Sequence, residues 1–474
     1  MPEEKKEELK RQKDIGQFFT PQVVVEFIYD ILKVHLDKEE KWKTCTGNKR
    51  KRFKKPSIID PSCGEGIFLK IALEKNITYP SHVFGIDIDD KMKEEWKRIN
   101  LLTKFGSEAK LESRFFHQNS LLPIKHDPKY RYRGIKKNAL KEFDLVVGNP
   151  PYGGVGLKEI SKELSETLVK YEIWKKAIGQ ETQGLLFLDR KHQDRLKTFP
   201  IEILFVERFI QLAKPGGHIA VIIPDGILSN SNLHYVREFI AEKVKIDAIV
   251  SLPRETFKDA GTSAKTSILF MTKPVDGKIE TLDYPVFLVS VEKLEGLNKV
   301  YEFYCRYQKE GNLMNPVPKK VVVAKDSMGN DAVSVRVDIT MKQMDEQKPA
   351  GRWDTSYWDP KYDGLFHGIA TEKLSKFIVD IQGGGGGSHF SAYLGDQWDP
   401  KGKYAKYLHV GSILETGIDW VSSKYINKKT YERLESKQLR INDILLSNKG
   451  TVGKSVVITR DYGKIVVGDT RIIR

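Results

Sequence analysis

The most specific chemical signal in this sequence is DLVVGNPPY, in which an apolar run leads into an amide, two prolines and an aromatic ring. Pro150 and Pro151 remove two backbone donors and fix φ, so carbonyl oxygens stand beside the Asn149 side chain as a wall of hydrogen-bond acceptors. An amine on a planar base is a poor nucleophile because its lone pair is delocalised into the ring. Asn149 Oδ1 and the Pro150 carbonyl can accept from the two amine hydrogens and restore electron density to nitrogen, while Tyr152 offers a stacking face. We predict these four residues to be catalytic, against the alternative of a turn that merely ends a strand.

Two further segments place polar groups where strands are predicted to end. The stretch Ile58–Gly66, IIDPSCGEG, predicts a strand, a glycine turn and then an apolar helix over Ile67–Leu73. It lacks the GxGxxG spacing that cradles a pyrophosphate. Asp87 follows about 20 residues later at the end of the next strand, the usual distance for an acid that binds ribose hydroxyls. We therefore predict a nucleoside ligand without a phosphate, the alternative being a turn or cap role for Asp87.

The elements that must position these groups alternate between strands and helices from about Gly16 to Lys273. This alternation predicts a mostly parallel α/β sheet covered on both faces, with ligands at the carboxyl ends of the strands. The predicted strands are residues 57–59, 83–88, 143–147, 218–223, 246–252 and 267–271, and a helix is predicted over 202–212.

Length and composition exclude several classes of protein. The 474 residues suffice for two or three domains, and the net charge of +15 favours an anionic partner. Three dispersed cysteines argue against a disulfide scaffold or a Cys-rich zinc site, and the ten histidines form no HxxxH or HxH pair, so we predict no metal. A charged N-terminus and the lack of a long apolar run predict a cytosolic protein without a membrane partner.

The distribution of charged, apolar and turn-forming residues along the sequence predicts four regions. Residues 1–13 are a charged lead, residues 14–275 the α/β domain just described, and residues 276–350 a weakly periodic connector. From Trp353 onward, short apolar runs separated by Gly and Asp turns predict a smaller β-rich α+β domain over 351–474.

These segments resemble the amino-methyltransferases that use S-adenosylmethionine, above all the γ-type adenine-N6 DNA methyltransferases of restriction–modification systems. The resemblance covers roughly Gly16 to Lys273. The motif GQFFTP at Gly16–Pro21 is similar to the N-terminal cofactor motif of type I modification subunits, and Asp60–Gly66 is similar to the glycine motif of the family. The segments Leu212–Leu228 and Leu252–Phe270 are also similar to type I modification subunits.

The resemblance implies a Rossmann-like sheet of the class I S-adenosylmethionine-dependent methyltransferases. By that likeness Thr20, Ser62 and Gly64 would hold the methionine part of the cofactor and Asp87 its ribose. Where the family usually has an Asp for the cofactor's adenine, this chain has Asn119, whose amide we expect to make the contact. The predicted cofactor-binding residues are Gln17, Thr20, Asp60, Ser62, Cys63, Gly64, Asp87, Ile88 and Asn119.

The same resemblance implies that Asn149 to Tyr152 hold the target base and that Phe257 is the second aromatic residue stacking on it. The expected reaction is methyl transfer to adenine N6 of a base flipped out of double-stranded DNA, without a metal. Methylation of RNA guanine or protein glutamine stays open, because NPPY also occurs in those enzymes. A catalytically silent DNA-specificity module is a further alternative.

The last 120 or so residues resemble the target-recognition domains of type I specificity subunits, in Tyr407–Ile413, Ile418–Trp420, Asn442–Ser447 and Gly450–Lys454. The likeness covers about the first half of such a domain, and the pattern is still β-rich at Arg474, so we expect a partial recognition domain. The long helical domain that precedes the motifs in type I modification subunits is absent from this sequence. We therefore expect a fused methyltransferase-specificity chain, with a specificity or nuclease subunit as a further partner.

Overall fold

The structure of the chain is a computed structural model that describes residues 19–39, 55–98, 114–125, 142–152, 157, 160–178, 188–258, 264–310, 321–325, 329, 331–347, 351–363, 372, 376–383, 399, 401, 403–414, 417–421, 423–447, 453–468 and 470–474. It divides into two compact units, Met1–Asp363 and Gly364–Arg474. In the described part of the chain, no helix has both the length and the apolar character that a membrane span requires.

The first unit is built on a ten-stranded sheet in the order β3-β2-β1-β4-β5-β7-β6-β8-β10-β9. Strands β1 to β5 run parallel, and β7 is antiparallel between β5 and β6. This order confirms the predicted class I methyltransferase fold. The strands are β1 Ile58–Asp60, β2 Val83–Asp87, β3 Phe115–His117, β4 Phe143–Gly148, β5 Ala213–Pro224, β6 Lys245–Ser251, β7 Thr266–Thr272, β8 Phe287–Val291, β9 Val321–Lys325 and β10 Asp331–Arg336.

Helices cover both faces of this sheet, as continuous apolar strands require. Neighbouring strand residues point to opposite sides, so Ile58 and Ile59 belong to different buried clusters. The helices are α1 Gln22–Lys38, α2 Ile67–Glu74, α3 Lys91–Arg98, α4 Lys162–Leu168, α5 Glu172–Ile178, α6 Arg190–Thr198, α7 Ile201–Leu212, α8 Asp225–Ser229, α9 His234–Lys243, α10 Leu297–Glu310 and α11 Met341–Glu346.

The segment 276–350, which we predicted to be a connector, instead extends the sheet. Strand β8 pairs in parallel with β6, and β10 pairs antiparallel with β8 and β9. The first unit also continues past the predicted boundary at 350. Trp353 has no exposed surface, and its backbone N–H donates to the Leu228 carbonyl at 2.9 Å. Strand β8 was missed because its partners β6 and β10 lie far from it along the chain, whereas β9 and β10 are close in sequence and pair with each other.

The second unit consists of small sheets around two apolar clusters, as the β-rich pattern predicted. One sheet has the order β11-β19-β16-β17, another β15-β12-β18, and β13 pairs with β14. The bounds are β11 Ile381–Gly383, β12 Ala405–Leu408, β13 Ile413–Leu414, β14 Gly417–Ile418, β15 Lys424–Ile426, α12 Lys428–Arg433, β16 Ile444–Ser447, β17 Ser455–Val457, β18 Ile465–Val467 and β19 Thr470–Ile473.

Candidate active site

The candidate site lies where the strand order of the large sheet reverses. Strand β1 pairs with β2 on one side and β4 on the other, which makes the carboxyl ends of β1 and β4 the switch point of the sheet. Asp60 ends β1, Asp87 ends β2 and Asn149 directly follows β4. Three of the predicted site residues therefore meet at one edge, although almost 90 residues separate the first from the last.

The end of β4 packs directly against the end of β1. A Cβ on Gly148 would lie 2.5 Å from Asp60 Oδ1, a distance that side chains do not tolerate. Glycine at this position lets the Asp60 carboxylate approach the backbone just before Asn149. The acid that begins the predicted cofactor turn therefore lies against the residue just before the predicted catalytic segment.

The Asn149 side chain is oriented by Thr20, which precedes α1. Asn149 Nδ2 donates to Thr20 Oγ1 at 3.2 Å, so the amide oxygen lies on the side away from Thr20. Thr20 itself is buried, with 8% of its surface exposed. The predicted contact of Thr20 with the cofactor stays a prediction, and in the structure its hydroxyl accepts from the Asn149 amide. Gln17, predicted in the same motif, lies outside the described residues.

Tyr152 and Phe257 lie together, as the stacking prediction requires, but edge to face. Their ring centroids are 6.4 Å apart at an interplanar angle of 81°, and both residues are 1% exposed. Burial also raises the pKa of the Tyr152 hydroxyl well above its ordinary value. A base cannot lie between two perpendicular rings in contact, so a sandwich requires the rings to separate.

The turn after β1 is shaped by glycine and held by the neighbouring strand. Gly64 and Gly66 have φ values of +47° and +83°, in the left-handed region that favours glycine. The Cys63 N–H donates to the Ile86 carbonyl at 3.0 Å, and the Gly64 N–H donates to Asp87 Oδ2 at 2.8 Å. The predicted cofactor residues Cys63, Gly64 and Asp87 therefore form one hydrogen-bonded unit.

Asp87 is the centre of this unit. Its Oδ1 accepts from the Asp89 N–H at 2.9 Å, and burial raises the pKa of its carboxyl above the ordinary value. The next side chain, Ile88, is 63% exposed and offers an apolar surface beside the carboxylate. A buried acid next to an open apolar side chain suits a ligand that has both hydroxyls and a flat ring.

Asp60 is the second buried carboxylate of the site. Its Oδ1 accepts from the Ser62 N–H at 2.9 Å and the Ser62 hydroxyl at 3.4 Å. Burial, with the nearby charge of Asp87, raises the pKa of Asp60 to about 8. Two buried carboxylates held by backbone and hydroxyl donors fit a cationic ligand, whose charge would favour their ionised forms.

Asn119 lies on the turn after β3, at the same edge as Asp87. The Gln118 N–H donates to the Asp87 carbonyl at 3.1 Å, which joins this turn to the end of β2. Asn119 Oδ1 accepts from the Leu121 N–H at 3.0 Å and so closes a local turn. The oxygen therefore shapes the backbone of the turn, and the amide nitrogen is the hydrogen-bond donor of this side chain.

Sequence reasoning missed Trp96, which supports the glycine turn from beneath. It is fully buried on α3, and its Nε1 donates to the Gly64 carbonyl at 3.0 Å. A Cβ on Gly85 would lie 2.5 Å from its ring, so glycine in β2 makes room for it. A tryptophan within the charged stretch KMKEEWKR was the available signal.

The described residues contain one group whose composition could suit a metal: His35, His218 and Asp247, with potential ligand atoms within 4.8 Å of one another. It lies at the amino-terminal edge of β5 and β6, away from the site. Hydrogen bonds already engage these rings, since His218 contacts Glu39 Oε1 at 2.6 Å and His35 contacts the Tyr304 hydroxyl at 2.6 Å. The group therefore fastens the end of α1 to the sheet.

A family model described as N-6 DNA Methylase matches residues 7–299, which is more than half of the chain. The chain belongs to the N-6 DNA methylase family. The matched region contains the glycine turn, Asp87 and the Asn149 segment, so the family assignment and the site coincide.

Relatives of this chain include the Bacillus subtilis protein YtxK, 26% identical over 251 residues, 52% of this chain and 57% of that protein. The methylase subunit of the Escherichia coli type I restriction enzyme EcoEI is 23% identical over 273 residues, 54% of this chain and 42% of that subunit. The chain spans about half the length of these relatives. A type I methyltransferase subunit from Streptococcus thermophilus superposes with a TM-score of 0.38 at 16% identity, over 60% of this chain and 53% of that one.

Proposed function

We propose that this chain transfers the methyl group of S-adenosylmethionine to adenine N6 within double-stranded DNA, as part of a restriction–modification system. The observation that carries the proposal is the contact between the end of β4 and the end of β1, which brings the residue before Asn149 against the buried carboxylate of Asp60. An acceptor group for an amine and a pocket edge for a cationic nucleoside are thereby adjacent, in a chain of the N-6 DNA methylase family.

The residues present fit S-adenosylmethionine, which supplies a methyl group on a positively charged sulfur. Asp87, with a second lone pair on each oxygen, would accept from the ribose hydroxyls. The Asp60 carboxylate would favour the positive charge, and Ser62 and Gly64 would hold the methionine part. Ile88 would cover one face of the adenine, which the Asn119 amide nitrogen would contact at its edge.

Asn149 would act on the target amine through its side-chain oxygen, together with the Pro150 carbonyl. Thr20 holds the amide nitrogen, which leaves the oxygen on the side where an acceptor is needed. Because the amine of a paired adenine is inaccessible within the duplex, the base must leave the stack to reach this edge. Tyr152 and Phe257 would then separate and take the base between their ring faces.

The second unit would read the DNA sequence. It carries cations over aromatic rings, with Lys406 above Trp420 at 5.4 Å and Lys464 above Tyr404 at 3.8 Å. Ring faces and basic groups in this combination suit nucleic acid, and the net charge of +15 supports an anionic partner. A specificity or nuclease subunit is a further proposed partner, since the EcoEI relative is by name a subunit of a larger enzyme.

The test is mass spectrometry of nucleosides after incubation of DNA with the chain and S-adenosylmethionine carrying a deuterated methyl group. We expect labelled N6-methyladenine from the parent. The substitution Asn149→Ala should lower single-turnover transfer at least about a hundredfold, or about 3 kcal/mol, while cofactor affinity changes only a few fold. Asn298→Ala, on the exposed side of α10, is the matched control and should behave like the parent.

Three outcomes would contradict the proposal. Label on guanine or on a glutamine side chain would assign another substrate class. Cofactor binding without any transfer to DNA would indicate a silent specificity module. Full transfer by Asn149→Ala would show that the amide does not act on the reacting amine.

A further inference from the structure

Arg208 lies within α7 and is buried, with 8% of its surface exposed. Its Nε donates to the Ser120 carbonyl at 2.6 Å, and its Nη2 donates to the Leu122 carbonyl at 2.8 Å. Its Nη1 donates to Gln211 Oε1 at 3.2 Å. One guanidinium therefore spans the turn that follows β3.

Tyr171 binds the carbonyl between the two that accept from Arg208. Its hydroxyl donates to the Leu121 carbonyl at 2.8 Å, so three consecutive carbonyls each accept from a side chain of another part of the fold. The same turn is tied to the cofactor turn, because the Ser120 hydroxyl donates to the Pro61 carbonyl. The backbone that carries Asn119 is thus held from both sides.

Burial of the Arg208 guanidinium carries a desolvation penalty that a side chain with only a packing role would avoid. Among the described residues, the acceptors of Arg208 are two carbonyls and an amide oxygen, and none is a carboxylate. Burial accordingly lowers the pKa of the guanidinium below its ordinary value. An apolar side chain of similar volume generally fills a buried site with a smaller desolvation penalty. The charge is therefore best explained by the turn that it fixes.

We propose that Arg208 and Tyr171 are positioning residues for recognition of the cofactor's adenine. They hold the turn at residues 119–122 so that the Asn119 amide nitrogen faces the adenine edge beside Asp87. This inference rests on the proposed function, because it assigns the adenine of S-adenosylmethionine to this turn. It also explains how Asn119 can serve where the resemblance led us to expect an Asp.

The test compares S-adenosylhomocysteine with S-inosylhomocysteine, in which a carbonyl replaces the exocyclic amine, by titration calorimetry. The parent should prefer the adenosine form, because the Asn119 amide nitrogen would donate to N1 of adenine, which carries a hydrogen in the inosine form and cannot accept there. Arg208→Lys keeps the positive charge but cannot donate to the two carbonyls at once. The variant's affinity for the adenosine form should therefore fall about tenfold or more, and its ratio of affinities for the adenosine and inosine forms should approach one. Tyr171→Phe removes one hydrogen bond and should shift both quantities in the same direction by a smaller factor.

Two further measurements separate positioning from a general loss of structure. In methyl transfer, Arg208→Lys should raise the KM for S-adenosylmethionine while kcat at saturation stays within about threefold. Arg195→Lys is the matched control, since Arg195 also donates to a carbonyl, that of Ala177 at 3.2 Å, but at the exposed surface. It should keep the parent's affinity and preference.

Equal loss of affinity for both ligands in Arg208→Lys, with the parent's preference retained, would overturn the positioning role. So would unchanged binding of both. A parent that binds neither ligand would overturn the proposed function itself, and the inference with it, whereas a parent that binds and methylates normally confines any failure to Arg208 and Tyr171.

Discussion

Replacement of Asp87 by Asn tests whether this carboxylate holds a ribose in addition to the glycine turn. In the structure Oδ2 accepts from the Gly64 N–H at 2.8 Å and Oδ1 from the Asp89 N–H at 2.9 Å. An asparagine offers one acceptor oxygen, so one of these N–H groups would face an amide NH2. Loss of one hydrogen bond to a charged group costs about 1.5–3 kcal/mol, which we expect to appear as lower stability of the turn.

The ribose contact would add a separate and measurable loss. A bond from a hydroxyl to the same carboxylate is worth about 1.5–3 kcal/mol, or about 10- to 150-fold in affinity. The assay is calorimetric binding of S-adenosylhomocysteine and its 2′-deoxyribose analogue. We expect the parent to bind the analogue at least about tenfold more weakly, and Asp87→Asn to bind both forms weakly and nearly equally.

The ratio of affinities for the two ligands distinguishes the two roles of Asp87, because distortion of the turn would weaken binding of both ligands alike. If Asp87→Asn still rejects the deoxy analogue by the parent's factor, the carboxylate serves the Gly64 turn alone and the ribose is held elsewhere. Asp90→Asn is the control, since its exposed carboxylate lies three residues along the same loop. It should retain both affinities.

Three other predictions follow from the site and its surroundings. Affinity for S-adenosylmethionine should rise as pH increases through about 8, because Asp60 is protonated below that pH and its ionised form favours the sulfonium. In Asp60→Asn the affinity measured by calorimetry should not change over the same pH range. Tyr152→Phe should retain most methyl transfer and Tyr152→Ala should lose about 1–3 kcal/mol of base stacking, so equal loss in kinetic assays of both would assign the effect to the hydroxyl. A chain ending at Ala350 should unfold at a lower temperature than one ending at Asp363, because it lacks the buried Trp353, a loss of about 3–5 kcal/mol; equal midpoints would contradict this.

The central strands and the place of Asn149 at a strand end were predictable because both depend on local sequence. Apolar β-rich runs identified β1, β2, β4, β5, β6 and β7 to within a few residues, apart from an early start of β5. Glycine, acid and proline at strand ends mark the carboxyl edge of a sheet whatever the rest of the fold does. Asp87 and Asn149 were recognisable for that reason, although their roles toward a ligand stay predictions.

Other strands were not predicted from the sequence, because their formation depends on pairing within the folded sheet. Strand β3 has three residues, and the pairing of β8 with β6 and β10 joins segments that lie far apart along the chain. The domain boundary near 350 was misplaced for the same reason, since Trp353 looks like the start of a new pattern until its burial against the first unit is seen.

By itself the sequence determined which groups are available for chemistry, because an amide beside two prolines and a carboxylate at the end of a strand keep their properties in any fold. Only the tertiary structure decided which groups orient them. Thr20 meets Asn149 across 129 positions, and Arg208 reaches Ser120 across 88. Such contacts leave no local signature, because neither residue pattern nor spacing along the chain records which side chains a folded sheet brings within hydrogen-bond distance.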